Sequence, residues 1–181
     1  NYGKNIVVFQ TILKNVKELI NSDISKVEKG TKIKVLIIEE LLTVNFKTTN
    51  SEIKFALKGK MDRVQEEDGV LHVLDYKTGN VEPNKLTFTD NEDIIQNKKT
   101  NIIQLACYNL IVSSILNTNK PFKSGIISFK HINQGTLWMK EKISFKERKY
   151  VFNEEDLINF ENLVYEIVED IHDVNSTFKN E

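Results

Sequence analysis

Apolar and polar positions alternate along this chain in two rhythms, and they divide it into helices and strands. From Asn5 to about Asn21, Phe9, Ile12, Leu13, Val16, Leu19 and Ile20 recur at helical spacing with Lys14, Lys17 and Glu18 between them. That spacing predicts an amphipathic helix lying on a sheet. Asn21-Ser22-Asp23 and Lys29-Gly30 break the pattern, and a short irregular link follows. Ile33 to Phe46, rich in Val, Ile and Leu, predicts a first strand bent near Glu39-Glu40. Thr48-Thr49-Asn50-Ser51 turns the chain into a second strand. There Ile53, Phe55, Leu57 and Met61 alternate with Lys54, Lys58, Lys60 and Asp62.

Asp68-Gly69 has the composition of a two-residue hairpin turn, because Gly readily supplies positive φ. In the third strand Leu71, Val73, Asp75 and Lys77 share one face, and Val70, Leu74 and Tyr76 take the other. His72 falls on the face away from Asp75. A polar stretch runs from Gly79 to about Thr100, either bordering a nucleic-acid path with Lys85, Thr87, Lys98 and Lys99 or forming a disordered insertion. Asn101 to Leu116 is a helix with a broad apolar surface. Phe122–Ile132 and Thr136–Phe145 predict a second hairpin across Asn133-Gln134-Gly135, with His131 and Trp138 as packing or edge residues. Asn153 caps a last amphipathic helix that has acids in its first turn and carries Leu157, Phe160, Leu163, Val164, Ile167, Val168 and Ile171.

Helix, three strands, helix, two strands, helix is the order of an α/β (α+β) domain over residues 1–172, with a mixed central sheet flanked by helices and a frayed tail over 173–181. At 181 residues the chain can bury one sizeable core. Basic and acidic residues balance (25 against 26), so any nucleic-acid surface must be a local basic patch. Cys107 is the only cysteine, which excludes an internal disulfide framework and a cysteine-ligated zinc or iron–sulfur site. No apolar run is long enough for a membrane-spanning helix and no signal peptide is visible, which makes a reducing cytoplasm the default compartment. Because it begins Asn-Tyr-Gly, the chain reads as a fragment.

The chemistry gathers at the first hairpin. If Asp68 and Gly69 form the loop, Glu67 pairs with Val70, and counting back puts Asp62 opposite Asp75, with Cβ atoms roughly 5 Å apart. Like charges so placed are destabilising unless neutralised. Lys77 projects from the same face as Asp75. Two carboxylates beside one lysine suit a hard divalent cation with an oxyanion or attacking water next to it. A solvated strand end, with Asp62 paired to Arg63 or Lys60, is the plainer reading of the same residues.

The succession G-K-M-D-R-V, short hairpin, V-L-D-Y-K-T-G and then Q-L-A-C-Y on a later helix resembles the PD-(D/E)XK nuclease superfamily in its RecB/AddB-like branch, over about the middle third of the chain. The resemblance implies a restriction-endonuclease-like core and a magnesium- or manganese-dependent DNA nuclease module of a recombination and repair helicase–nuclease-like protein. It makes Asp62 and Asp75 metal ligands, Tyr76 a further ligand through its carbonyl, and Lys77 the catalytic lysine. Gln104 and Tyr108 match the branch's Q-x-x-x-Y motif and would orient the site or a nucleotide; a core tyrosine capped by a glutamine is the other reading. Lys58, Lys60 and Arg63 are near enough in sequence to contact DNA, or to balance Asp62. The implied partners are DNA and a helicase region or subunit. Some relatives carry a four-cysteine iron–sulfur cluster, which this segment cannot.

One family element is missing. The family adds a glutamate, and this branch often a histidine, from a helix before the first strand. Here no histidine precedes His72, and Glu18 is the only acid in the predicted first helix. The expectation is a fragment lacking an upstream helix, weak in metal binding and slow or inactive alone. The alternative is a non-catalytic nucleic-acid-binding or scaffolding domain that kept the nuclease fold. Glu39 and Glu40 are candidate ligands within an apolar run, or solvent-facing acids at a sheet edge.

Overall fold

The Asp68-Gly69 turn sets the central register. Both residues have positive φ (48° and 90°), the backbone of a type I′ turn, whose twist matches that of the flanking strands. In the computed structural model, which describes residues 2–49 and 51–173, β2 (Lys54–Glu67) and β3 (Val70–Lys77) pair antiparallel from Glu67↔Val70 to Arg63↔Leu74. β1 (Ile33–Lys47) pairs antiparallel with β2, while β5 (Phe122–Ser128) runs parallel to β3 and carries the short β6 (Leu137–Trp138). The result is a mixed five-stranded sheet in the order β1-β2-β3-β5-β6.

Helix α3 (Thr100–Leu116) covers one face. Its Ile102, Leu105, Ala106 and Ile111 join Met61, Val64, Leu71, Val73 and Ile126 in the core. Each large aliphatic side chain sealed there contributes about 1.5–3 kcal/mol of transfer free energy. Helix α4 (Glu154–His172) packs on α3. Its start is the expected one: Asn153 and Asp156 form a reciprocal capping box. Asp173 caps its C-terminus, and the rest of the predicted tail lies outside the described residues.

The buried positions of β1 and β2 change parity midway. Ile37 and Val64 point into the core near the hairpin turn, whereas Leu42 and Met61 do so farther along. A regular strand buries every second residue, so both strands are rotated between these positions, beside Glu39 and Asp62. Glu39 marks the place with a left-handed φ of 52° inside β1. The expected bend is here. It also reconciles the apolar alternation of the early part of β2 with a core-facing Val64.

Helix α1 (Tyr2–Glu28) runs past the expected break at Asn21-Ser22-Asp23. Ile24 and Val27 continue its pattern, and Gly30 (φ 98°) ends it: Gly30 N–H donates to Val27 O and Thr31 N–H to Lys26 O, a Schellman motif. The helix does not lie on the sheet through its apolar stripe. Ile6, Val7, Phe9, Ile12 and Ile20 are exposed. The sheet face that α1 meets carries Arg63, Gln65, Glu67 and His72 beside the buried Leu74 and Ile127, and ion pairs fasten the helix to it. Asp23 pairs with Arg63 at 2.7 Å and Lys26 with Glu67 at 2.8 Å.

This clasp makes acid stability testable. Burial pushes the Glu67 carboxyl up, but hydrogen bonds from His72 and Lys26 outweigh it and hold it down at about 2. The stabilisation is therefore complete above the ordinary carboxylate range and is lost as pH falls toward about 2. Glu67→Gln should lower neutral-pH stability by on the order of 2–3 kcal/mol and flatten the acid limb of the stability curve. Denaturant unfolding at several pH values reads both effects. A limb as steep as that of the wild type would remove Glu67 from the account.

Two other expectations are corrected. The polar stretch after Gly79 is neither open loop nor disordered: it holds a 3₁₀ turn, the short β4 (Thr87–Phe88) and helix α2 (Asn91–Gln96). Val81, Leu86, Phe88 and Ile94 anchor it, buried at a spacing that follows neither period. Lys99 turns inward to Thr87 O and Asp93 rather than lining a path. The second hairpin is much shorter than predicted. After β5 the chain enters a 3₁₀ segment, pairs back only at Gly125↔Trp138 and Ile126↔Leu137, and then leaves as β7 (Lys140–Lys142). There it forms a three-stranded sheet, β4-β7-β8, with β4 and β8 (Arg148–Lys149). No helix among the described residues is long and apolar enough to cross a membrane.

Candidate active site

Asp75 and Lys77 stand at the C-terminal end of β3, where α3 passes over it. Asp75 is buried, with 4% of its surface exposed. Gln104, on α3, donates through Nε2 to Asp75 Oδ1 at 2.9 Å and to the Tyr108 hydroxyl at 2.8 Å. Its Oε1 accepts from Lys77 Nζ at 2.8 Å. Lys77 Nζ also lies 3.0 Å from Asp75 Oδ2. That contact is an ion pair outside hydrogen-bond geometry, and Oδ2 has no hydrogen-bond partner. Asp75, Lys77, Gln104 and Tyr108 thus form one polar cluster, with Gln104 and Tyr108 a helical turn apart on the same side of α3.

Asp62 follows in register: the ladder ends at Arg63↔Leu74, and the next two residues are Asp62 and Asp75. There Tyr76 N–H donates to Asp62 Oδ2 at 2.7 Å. Burial raises the pKa of the Asp62 carboxyl, with repulsion from Asp75 and Glu39 adding to it; the Tyr76 N–H and Lys60 act in the opposite sense. Two acids that repel each other on one hairpin, one with a buried oxygen that accepts no hydrogen bond, suit a hard cation. The oxygen set fits that ion but does not complete its shell. Among the described residues, no group of three acidic, His or Cys side chains is placed to hold a metal.

The remaining candidates lie around this cluster. Tyr76 turns its ring to the α1 side, against Phe129, and its hydroxyl bonds Arg63. Arg63 is ion-paired with Asp23 and is not part of the Gln104 cluster. Lys60, more than half exposed, pairs with Glu39. Glu18 lines a cavity with Trp138, and Trp138 stacks edge-on against His72, on the face away from Asp75. A second cavity of about 440 Å³, lined by Phe88, Asp90, Glu141 and Asp156 among others, includes none of the cluster residues.

Gly59 is the residue that sequence reasoning missed. A Cβ there would lie 2.7 Å from the Tyr108 ring, so the ring seats directly on the β2 backbone. A single glycine inside an alternating strand is the available signal, since it often marks a close approach. On the other side of α3, the Ser124 hydroxyl donates to Asn109 Oδ1 at 2.5 Å in the buried interior, tying the helix to β5.

A family model described as the PD-(D/E)XK nuclease superfamily matches residues 17–180. No curated protein and no solved structure matches. The mixed sheet with helices on its faces is consistent with a restriction-endonuclease-like fold.

Proposed function

Because the chain belongs to the PD-(D/E)XK nuclease superfamily, we propose that it hydrolyses DNA phosphodiester bonds, with Asp62 and Asp75 holding Mg²⁺ or Mn²⁺ and Lys77 acting on the reacting phosphate. The single observation that carries the reading is the Asp75–Lys77–Gln104–Tyr108 cluster beside Asp62. The cation, when bound, supplies Lewis acidity and an activated water. Asp75 is held in place by Gln104 through Oδ1, which orients Oδ2, paired with Lys77 and outside any hydrogen bond. Lys77, held by the same glutamine, is placed to donate to the phosphoryl oxygens as negative charge builds on them. The Tyr76 carbonyl is a further oxygen donor, and Arg63 orients that strand end through the Tyr76 hydroxyl. Lys60 is exposed and meets the DNA backbone. The RecB/AddB-like Q-x-x-x-Y pair supports a place beside a helicase region or subunit.

The reading is tested by incubating end-labelled single- and double-stranded DNA with the chain while Mg²⁺ or Mn²⁺ is titrated. Cleavage should require the cation and stop on chelation. That no third acid stands beside the pair among the described residues favours a second reading, a non-catalytic nucleic-acid-binding domain. DNA retention without cleavage at any cation concentration would select that reading and sink the first.

A further inference from the structure

We propose that Glu39 is the third carboxylate of the cation site, released to it from Lys60; this rests on the metal-site reading above. β1, β2 and β3 are adjacent strands, and three acids lie in line across them. Ile38 pairs with Arg63 and Glu40 with Met61, which puts Glu39 opposite Asp62; Asp62 in turn stands opposite Asp75.

Three further observations single out Glu39. Its φ of 52° is a conformation that residues with a Cβ adopt rarely, least of all inside a strand, and such residues gather at functional sites. Its carboxylate is held by Lys60, two residues before Asp62 on β2, so it reaches over to the strand that carries Asp62. Its side chain is 53% exposed, so turning it from Lys60 to an ion buries no new apolar surface and breaks no core packing. At the far end of the row, the buried Asp75 Oδ2 accepts no hydrogen bond and has only the ion pair with Lys77, so it keeps a lone pair for a cation.

The other acids are worse placed. Glu18 is beside Trp138 on the opposite face, and Glu40 stands opposite Met61 and not opposite Asp62. Without the ion, Lys60 is the positive partner of Glu39. Ion binding exchanges one positive partner of Glu39 for another and leaves Lys60 free to meet a phosphate.

The test is calorimetric titration of Mn²⁺ into the chain, without DNA. Glu39→Gln should weaken binding by about tenfold or more, because carboxylate count sets divalent affinity. Its thermal melt should match the wild type's. Lys60→Ala should tighten binding, and that gain should vanish in the Glu39→Gln/Lys60→Ala double variant, a coupling that a merely structural glutamate would not produce. If Glu39→Gln titrates like wild type while Asp75→Asn loses the ion, Glu39 is not a ligand and the two-aspartate site stands without it. Asp75→Asn that binds as well as wild type, or a wild type that binds no Mn²⁺ at millimolar concentration, would overturn the metal-site reading and this inference together.

Discussion

Lys77→Ala is expected to lower cation-dependent DNA cleavage by about a hundred- to a thousandfold, the usual loss when one donor to developing oxyanion charge is removed. The fold should survive. The Lys77 side chain is 32% exposed and sits at a strand end, where it contributes little to the core. Its loss leaves Asp75 Oδ2 buried without its ion-pair partner, so the apo melting temperature should fall modestly and recover when Mn²⁺ is added. Single-turnover cleavage and thermal melts with and without the ion read both parts. A variant that cuts at the wild-type rate would move the nuclease centre elsewhere.

Asp75→Asn is the second large effect, and asparagine isolates charge from shape. Its Oδ1 still accepts from Gln104 Nε2, and Lys77 is exposed enough to turn to water, so the cluster keeps its packing. What disappears is one unit of negative charge at the buried oxygen proposed as a ligand. Mn²⁺ affinity should drop by at least about tenfold, since ligand charge count tunes divalent binding. Cleavage should fall with it and not recover at higher Mn²⁺, because the bound ion is then misplaced. Calorimetry separates the two losses. Rescue of full activity by excess metal would mean that Asp75 serves affinity alone and has no part in placing the ion.

Most of the cluster was legible because strand parity and turn chemistry are local. Asp68-Gly69 dictates the pairing of β2 with β3, and from that pairing the proximity of Asp62 to Asp75 follows by counting. Gln104 and Tyr108 needed the family resemblance to bring them to the hairpin, since nothing in the helical period says which face of α3 meets which strand. The seat of Tyr108 on Gly59 needed coordinates. So did the turn of α1 away from its apolar stripe, because Arg63, Gln65, Glu67 and His72 come side by side on the sheet face beneath it only when the strands pair. The anchoring of the segment after Gly79 escaped for a similar reason: Val81, Leu86, Phe88 and Ile94 satisfy no single period, and their burial is decided by distant partners. Arg63, four residues upstream of Glu67, reads in sequence as a neighbour that balances Asp62. In three dimensions it belongs to Asp23 and Tyr76.

The parallel pairing of β3 with β5 has a consequence for the order in which the molecule assembles. β2 and β3 are joined by two residues and can zip on the microsecond scale typical of hairpins. Asp62 and Asp75 are therefore brought together early, with Lys77 of the same hairpin as the nearby positive charge. The partners that steady Asp75 and Lys77 lie within the crossover that runs from Thr78 to Pro121, and α3 reaches its seat on Gly59 only when that long segment folds back over the hairpin. Closure of such non-local pairings is slow because the chain entropy is lost before the contacts form. A nascent chain halted before β5 would thus hold both acids of the hairpin and yet leave Gln104 with no fixed hold on Lys77.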